Sequence, residues 1–499
     1  MENKLYKKTF YIFLIINMLV CFCVELFRNT ISVDSMEAIT WGELISFGTN
    51  KHPPLSGWLA DGFYRLFFQH EVAIYLLGVL CIAVGLIYIY KLANYFLEPK
   101  KALCSTLIIA LSEYYTYLVF YYNFNCNVLA MALWPALTYY FYKSIKFDKL
   151  KYWILFGVVA ALCFLAKYQI IFVFFGMFLY LLLCEGKYFK KKGLYIAFII
   201  GLLLITPHII WLFQNDFFPF GYYTDKVQLD SGVEKSVDYF AGILYTFRFY
   251  VEQLLALAPC FVVYLFLILK EKSVEFKNIK ENKKDSLFIL SVGLVPLIVT
   301  GLSGIITSNQ TTGAWGSSMI GFAGIILFYF FPIKFEDKTY KYFLKWFCSL
   351  AICWQLALLV FVLVQTKTDM AILRQNVISD FNKIWMENTG NKNIKYVSGC
   401  NEYVFHFSLD KNSKHMVVLD TFGHKNPWVN YSDIEKNGAL IVAQNEDSAL
   451  NYATEVAKFL PQKYNFEVKK YSSEVTSKIK KSQQYEIFYI IIPPIKTLE

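Results

Sequence analysis

Past an early apolar run the chain reads Asp34-Ser35-Met36-Glu37-Ala38 and then Lys51-His52-Pro53-Pro54-Leu55-Ser56-Gly57-Trp58. Two carboxylates, an ammonium and an imidazole thus fall within one short stretch. Asp34 and Glu37 stand three residues apart and would share one face of a helix. A carboxylate at a membrane surface suits a general base that takes a proton from an acceptor hydroxyl or amine. Lys51 and His52 can offer positive charge to a phosphate. The same residues equally suit a solvated loop in which Asp34 caps a helix. Lys167, followed by Tyr168, lies between two apolar segments. An ionisable group there is costly unless it meets an anion or snorkels to the surface, and both readings stand.

Three further clusters have weaker claims. Tyr121-Tyr122-Asn123-Phe124-Asn125-Cys126-Asn127, with Trp134-Pro135 after it, offers amides and aromatic faces to sugar hydroxyls, or is an ordinary turn between helices. Pro207-His208-Ile209-Ile210-Trp211 through Asn215-Asp216 holds a lone histidine, which more often anchors a helix end at the surface than binds a ligand. Gln310-Thr311-Thr312-Gly313-Ala314-Trp315-Gly316 reads as a loop before a late apolar run. Asp216, Asp225 and Arg248 are further candidates in a long polar segment. No P-loop, dinucleotide fingerprint or HExxH occurs, so nothing points to ATP use or zinc proteolysis.

The elements that position these residues follow from composition. Of 499 residues, 57% are hydrophobic and 17% charged, against about a quarter charged in soluble domains; mean hydropathy is +0.41. The net charge of +10 does not signal nucleic acid, because the lysines cluster in gaps between apolar runs. Membrane-spanning runs are expected near 9–27, 72–90, 102–120, 127–142, 152–166, 169–184, 194–213, 252–270, 286–303, 317–333 and 343–365. The stretch 152–184 reads as a tight hairpin with Lys167 at its turn. Alternate gaps are rich in lysine, for example Lys187 to Lys192 and Lys272 to Lys284, whereas 121–126 and 304–316 have no Lys or Arg. By the positive-inside rule the N-terminus and basic loops are cytoplasmic and the tail lies outside. The first apolar run lacks a small-residue cleavage pattern and reads as an uncleaved anchor. Nine of eleven cysteines lie in apolar runs and read as small buried hydrophobes; Cys126 and Cys400 are expected near water.

Residues 1–365 therefore form a helical membrane domain with long outer loops at 28–71 and 214–251. Residues 366–499 form a small extracytoplasmic α/β domain. Strands are expected at Ile394–Val397, Met416–Leu419, Ala439–Ala443 and Glu486–Ile492. Helices are expected at Ile372–Glu387, with Asp369 as its cap, and at Ala449–Leu460.

The order Asp34…Glu37-Ala38…Lys51-His52-Pro53-Pro54-Leu55…Trp58 resembles the first outer loop of bacterial GT-C glycosyltransferases, the PMT-like relatives of protein O-mannosyltransferases and of the lipid A aminoarabinose transferase. Asn123-x-Asn125…Leu133-Trp134-Pro135, Leu165-Ala166-Lys167-Tyr168, Pro207-x-x-Ile210-Trp211…Asn215-Asp216, Glu252-Gln253-Leu254-Leu255…Pro259 and Thr312-Gly313-Ala314-Trp315 are similar to the family in the same order. In the tail, Asn426-Pro427-Trp428 and Gly438-Ala439-Leu440-Ile441-Val442 are similar to its outer domain.

The resemblance implies an α-helical polytopic membrane protein of GT-C type with about eleven spans. It implies an inverting transferase using a sugar on polyprenyl phosphate, in bacteria usually undecaprenyl phosphate. Asp34 would be the catalytic carboxylate and Glu37 its neighbour. Lys51, His52, Lys167 and Tyr168 would bind the donor phosphate; Tyr122, Asn123, Asn125, Trp211 and Asp216 would line the substrate. Many relatives carry an acid where Lys51 stands, and in some it helps bind a metal. With a lysine there, no metal and no other cofactor is expected. The expected setting is the bacterial inner membrane, and the expected acceptor lipid A or lipopolysaccharide. A protein acceptor, or a lipid or sugar transporter, are the alternatives. A transporter would be expected to show repeat symmetry or broken helices.

Overall fold

The computed structural model describes residues 2–28, 30–44, 46–221, 239–307, 311–364, 374–410, 414–418, 426–475 and 483–495. They form two compact units: residues 1–25, 75–210 and 233–358 make up one, and residues 26–74, 211–232 and 359–499 the other. In chain order, α1 (Glu2–Glu25) is followed by α2 (Val33–Glu43) and α3 (Leu55–Leu66). Next come α4 (Val72–Phe96), α5 (Pro99–Ile109), a π-helical turn (Tyr114–Leu118), α6 (Val119–Tyr122), α7 (Cys126–Phe147), α8 (Leu150–Ala166), α9 (Ile171–Cys184) and α10 (Lys192–Gln214). The helical series ends with α11 (Tyr239–Ala256), α12 (Ala258–Glu271), α13 (Lys283–Gly293), α14 (Val295–Thr307), α15 (Ala323–Phe330) and α16 (Asp337–Val364).

Each of the eleven apolar runs contains helix, although in 317–333 it is confined to Ile320–Phe330. By length and composition, α1, α4, α10 and α16 can each cross a membrane. So can three bent pairs: α5 with the stretch Tyr114–Tyr122 (63°), α11 with α12 (56°) and α13 with α14 (40°). Two of the bends follow from proline. Pro259 and Pro296 lie in the first turns of α12 and α14, where the missing N–H is tolerated but the preceding helix cannot run on. The remaining apolar helices α8, α9 and the segment Ile320–Phe330 are shorter. The second outer loop is shorter than its expected span to 251, since α11 begins at Tyr239.

Large apolar side chains stand outward on α10 (Phe198, Leu203, Phe213) and α16 (Ile352, Leu356, Val360). Such continuous exposure suits lipid rather than water. Within α4, by contrast, two thirds of the apolar window is buried, so it is a central helix of its unit. The cysteines depart from expectation. Cys126 and Cys400 are both buried, whereas Cys23, Cys348 and Cys353 face outward. Cys126 is covered because it opens α7 directly behind the helix cap. Cys400 precedes a short helix and gives its thiol to Glu402.

In the second unit α17 (Arg374–Thr389) leads to β1 (Tyr396–Gly399), α18 (Asn401–Ser408), β2 (Met416–Val418), α19 (Tyr431–Asn437), β3 (Ala439–Ala443), α20 (Glu446–Ala457), β4 (Lys469–Val475) and β5 (Gln483–Ile492). The sheet order is β2-β1-β3-β5-β4. Both β2 and β3 lie parallel to β1, β5 is antiparallel to β3, and β4 to β5. Ala439, Ile441, Ala443, Ile490 and Ile492 fill one core with Ala449, Ala453 and Val456 of α20. Asp369, Ile372 and Leu419 lie outside the described residues.

The long loop expected at 28–71 falls in this second unit. Its α2 packs on α18, and the Thr40 hydroxyl meets that of Ser408 at 2.7 Å. α2 and α3 approach backbone to backbone: a Cβ on Gly42 would lie 2.3 Å from the Gly57 carbonyl oxygen. Only glycine at position 42 permits that approach.

Candidate functional site

α2 begins with Ser32, whose hydroxyl accepts from the Ser35 N–H at 3.2 Å. Ser32, not Asp34, is therefore the cap. Asp34 falls in the first helical turn, where the helix dipole favours an anion, and it is half-buried. One turn on, the Glu37 carboxylate is buried and accepts from the Lys51 ammonium at 2.5 Å. The expected sharing of a face is met, with Lys51 clamped onto it.

The turn carrying Lys51 and His52 is tightly tied. The Thr49 hydroxyl donates to the His52 carbonyl (2.8 Å) and accepts from the His52 and Lys51 N–H groups (2.9 and 3.2 Å). The Trp41 indole donates to the Asn50 amide at 3.0 Å, and its ring meets His52 edge-on. Beyond them, Arg65 of α3 donates to Asp61 at 2.7 Å and lies 3.6 Å from Glu43. Burial, reinforced by the Asp61 charge, raises the Glu43 carboxyl above its usual range. Trp211, half-buried, covers Gly48 so closely that a Cβ there would lie 2.1 Å from its ring. Asp216 is exposed in the left-handed backbone region, φ 50°.

In the helical unit, α8 ends where Lys167 turns extended, and a 3-10 turn over Tyr168–Ile170 opens α9. The lysine is thus at the break, and its side chain is buried. Its ammonium donates to the Asn127 side-chain oxygen on α7 and lies 6.0 Å from the Trp315 ring centre. Among the described residues Lys167 makes no ion pair. Tyr168 shares a hydrogen bond of 3.0 Å with His208 Nε2 and stacks on its ring. His208 is buried inside α10, not a surface anchor, because Tyr168 covers it.

The Asn cluster is mainly architectural. Asn125 caps α7, accepting from the Asn127 and Val128 N–H groups at 2.9 and 3.0 Å. Buried Asn123 adopts φ 53° and donates to Glu25 at 2.9 Å. Tyr122 beside it is half-buried. Arg248 on α11 pairs with Glu252 at 2.7 Å. Asp225 and Gln310 lie outside the described residues.

Sequence reasoning gave Asn127 no role of its own, although it closes the cluster already noted. Nor did it give a role to Gln169, or to Gln253 beyond its place in a motif; both hold the segment around Trp315: Gln169 donates to the Trp315 carbonyl (3.2 Å) and Gln253 to that of Gly313 (3.1 Å). Gln169 follows Lys167-Tyr168 directly, which was the available signal. A three-carboxylate or His/Cys cation cluster is absent among the described residues.

Residues 51–211 match the family model described as dolichyl-phosphate-mannose-protein mannosyltransferase. That stretch runs from Lys51 to Trp211 and includes His52, the Asn cluster, Lys167 and Tyr168. The crystal structure of ArnT from Cupriavidus metallidurans bound to undecaprenyl phosphate aligns with a TM-score of 0.63 at 11% identity, over 96% of this chain and 97% of that one. Its apo state aligns at 0.61 and 11% identity, over 97% and 98%. No curated protein matches the chain significantly in sequence. At such low identity the likeness is one of fold alone, the fold of ArnT.

Proposed function

We propose that this chain, a membrane glycosyltransferase of GT-C fold, moves a sugar from polyprenyl phosphate to an envelope acceptor at the outer face of the bacterial inner membrane. The observation that carries the reading is Lys167: a buried ammonium at a break between two apolar helices, held by a neutral amide and, among the described residues, paired with no carboxylate. A buried cation without a counter-ion is costly, and a lipid phosphate would supply the missing charge. The solved structure of ArnT with undecaprenyl phosphate adds support, since it shares the fold.

In this reading Asp34 takes the proton from an acceptor O–H or N–H. The freed lone pair attacks the anomeric carbon from the side opposite the carrier. The bond from that carbon to the phosphate oxygen breaks, its electron pair stays with the polyprenyl phosphate, and the configuration inverts. Lys167, Tyr168, Lys51 and His52 are assigned to the phosphate, where fixed positive charge offsets what develops on the leaving group. Glu37 holds the Lys51 ammonium in place. With Lys51 already neutralising Glu37, that carboxylate is a poor cation ligand, so we assign the step to protein charges alone. Tyr122, Trp211 and Asp216 are assigned to the substrate. Lipid A or lipopolysaccharide is the acceptor put first, protein the second.

The test compares envelope glycolipids and glycoproteins by mass spectrometry in cells lacking the protein, cells with it restored, and cells carrying Asp34→Asn at normal membrane levels. One sugar-sized mass should vanish in the null, return with wild type and stay absent with Asp34→Asn, while the charged carrier accumulates. Full restoration by Asp34→Asn would remove Asp34 as the base and bring the transporter reading forward.

A further inference from the structure

The segment Thr311–Phe322, read from sequence as a loop up to Gly316 and as the start of a span from 317, is built of two 3-10 turns, Gly313–Gly316 and Ile320–Phe322. It is knitted into the helical unit from three sides. Tyr114 of the π-helical turn donates to the Gly313 carbonyl at 2.7 Å, joining the bonds from Gln253 and Gln169. Those contacts occupy the amide nitrogens of both glutamines and leave their oxygens behind. The Oε1 atoms of Gln169 and Gln253 and the hydroxyls of Thr311, Ser317 and Ser318 are buried and, among the described residues, have no hydrogen-bond partner. Gln253, Thr311, Ser317 and Ser318 are each at most 3% exposed. Gln253 Oε1 lies against Gly316, where a Cβ would come within 2.1 Å of it.

Buried polar atoms are nearly always bonded, and single exceptions call for a reason. Five on or against one short segment call for a ligand. Their chemistry selects it. Amide oxygens only accept, so they want donors and would repel a phosphate. A metal ion would meet only neutral oxygens beside the Lys167 ammonium, which stands over the Trp315 ring. A ring carrying several hydroxyls satisfies both kinds of group, donating to the two amides and exchanging bonds with the three hydroxyls. An aromatic face such as that of Trp315 offers its C–H edges a platform.

We propose that Gln169, Gln253, Thr311, Ser317 and Ser318 form the pocket that reads the hydroxyls of the carrier-bound sugar. This rests on the assignment of Lys167 to the carrier phosphate and deepens it, because Trp315 links the two sets of residues.

The test measures binding to the full chain in nanodiscs by native mass spectrometry. The probes are bare undecaprenyl phosphate and undecaprenyl phosphate charged with glucose, mannose or 4-amino-4-deoxyarabinose. Wild type should hold at least one charged carrier about tenfold more tightly than the bare one, as a few matched hydrogen bonds would give. Gln253→Leu, and Ser317→Ala as the milder change, should abolish that preference and leave bare-carrier affinity unchanged. Preference retained in both correctly folded variants, or bare and charged carriers weakened alike, overturns the pocket. A wild type that binds bare carrier with no sugar preference also overturns it, leaving water as the occupant. If wild type binds none of the four, the carrier reading itself fails and the pocket falls with it.

Discussion

Replacing Lys51 by methionine separates two roles for the Glu37–Lys51 pair, bracing and catalysis. The ions meet at 2.5 Å with side chains 10% and 18% exposed. Breaking a fully buried pair costs about 3–5 kcal/mol, and an exposed one contributes about 0–1 kcal/mol. This mostly buried pair falls between, so Lys51→Met should cost about 2 kcal/mol, most of it the buried carboxylate charge that the ammonium no longer offsets. Glu37→Gln should cost less, about 1 kcal/mol, since a lysine stem can carry its head toward water. The double variant removes both charges and should recover most of the loss, with a coupling of about 2–3 kcal/mol. Stability is read from reversible thermal unfolding of purified protein in nanodiscs, and activity from the mass shift of the acceptor in the same preparations. If Lys51 serves the donor phosphate, Lys51→Met and the double variant stay inactive even where stability returns. A double variant that regains both stability and transfer would reduce the pair to a brace. A Lys51→Met variant as stable as wild type would refute the burial argument itself.

Three other outcomes follow from the geometry. Gly42→Ala drives a methyl group to 2.3 Å from the Gly57 carbonyl; it should cost about 1–3 kcal/mol by overpacking and expose the turn carrying Lys51 and His52 to protease. Asp433 is held below the usual carboxylate range by the Lys395 ammonium at 2.5 Å and the Tyr396 hydroxyl at 2.6 Å. Its contribution is therefore present above pH 3.8 and lost as pH falls through the depressed value. Asp433→Asn should destabilise slightly at pH 7, by less than about 1 kcal/mol for so accessible a pair, and converge with wild type in acid melts. Transfer by metal-stripped protein in excess chelator should equal that of untreated protein; loss rescued by one divalent ion would return a metal to the site.

The spans were legible because apolar length and lysine spacing are properties of single segments. The bends were less so. Pro259 and Pro296 marked two of them, but the 63° turn after α5 has no proline at its break and depends on Glu113 donating its N–H to the Ala256 carbonyl, a partner remote in sequence. β4 was missed for a similar reason: Lys469-Lys470-Tyr471-Ser472-Ser473-Glu474-Val475 is polar and becomes a strand only by pairing along β5. Among the candidate site residues, Asp34, Glu37, Lys51, His52 and Lys167 could be proposed from residue type and spacing. Their partners could not, because the Lys167–Asn127 and Tyr168–His208 contacts each cross 40 residues. Asn125 looked like a sugar ligand in sequence, yet the cap it forms on α7 needed the backbone to be seen.

The hydroxyl contact between Thr40 and Ser408 joins positions 368 residues apart. During synthesis, the stretch holding Asp34, Glu37 and Lys51 is made first and its packing partner α18 almost last. The proposed catalytic helix α2 therefore stays without its support until the whole series of spans has been translated. An unfinished chain should in this way stay idle, and a chain cut before α18 should reach the membrane with its helices inserted and the proposed chemistry never assembled.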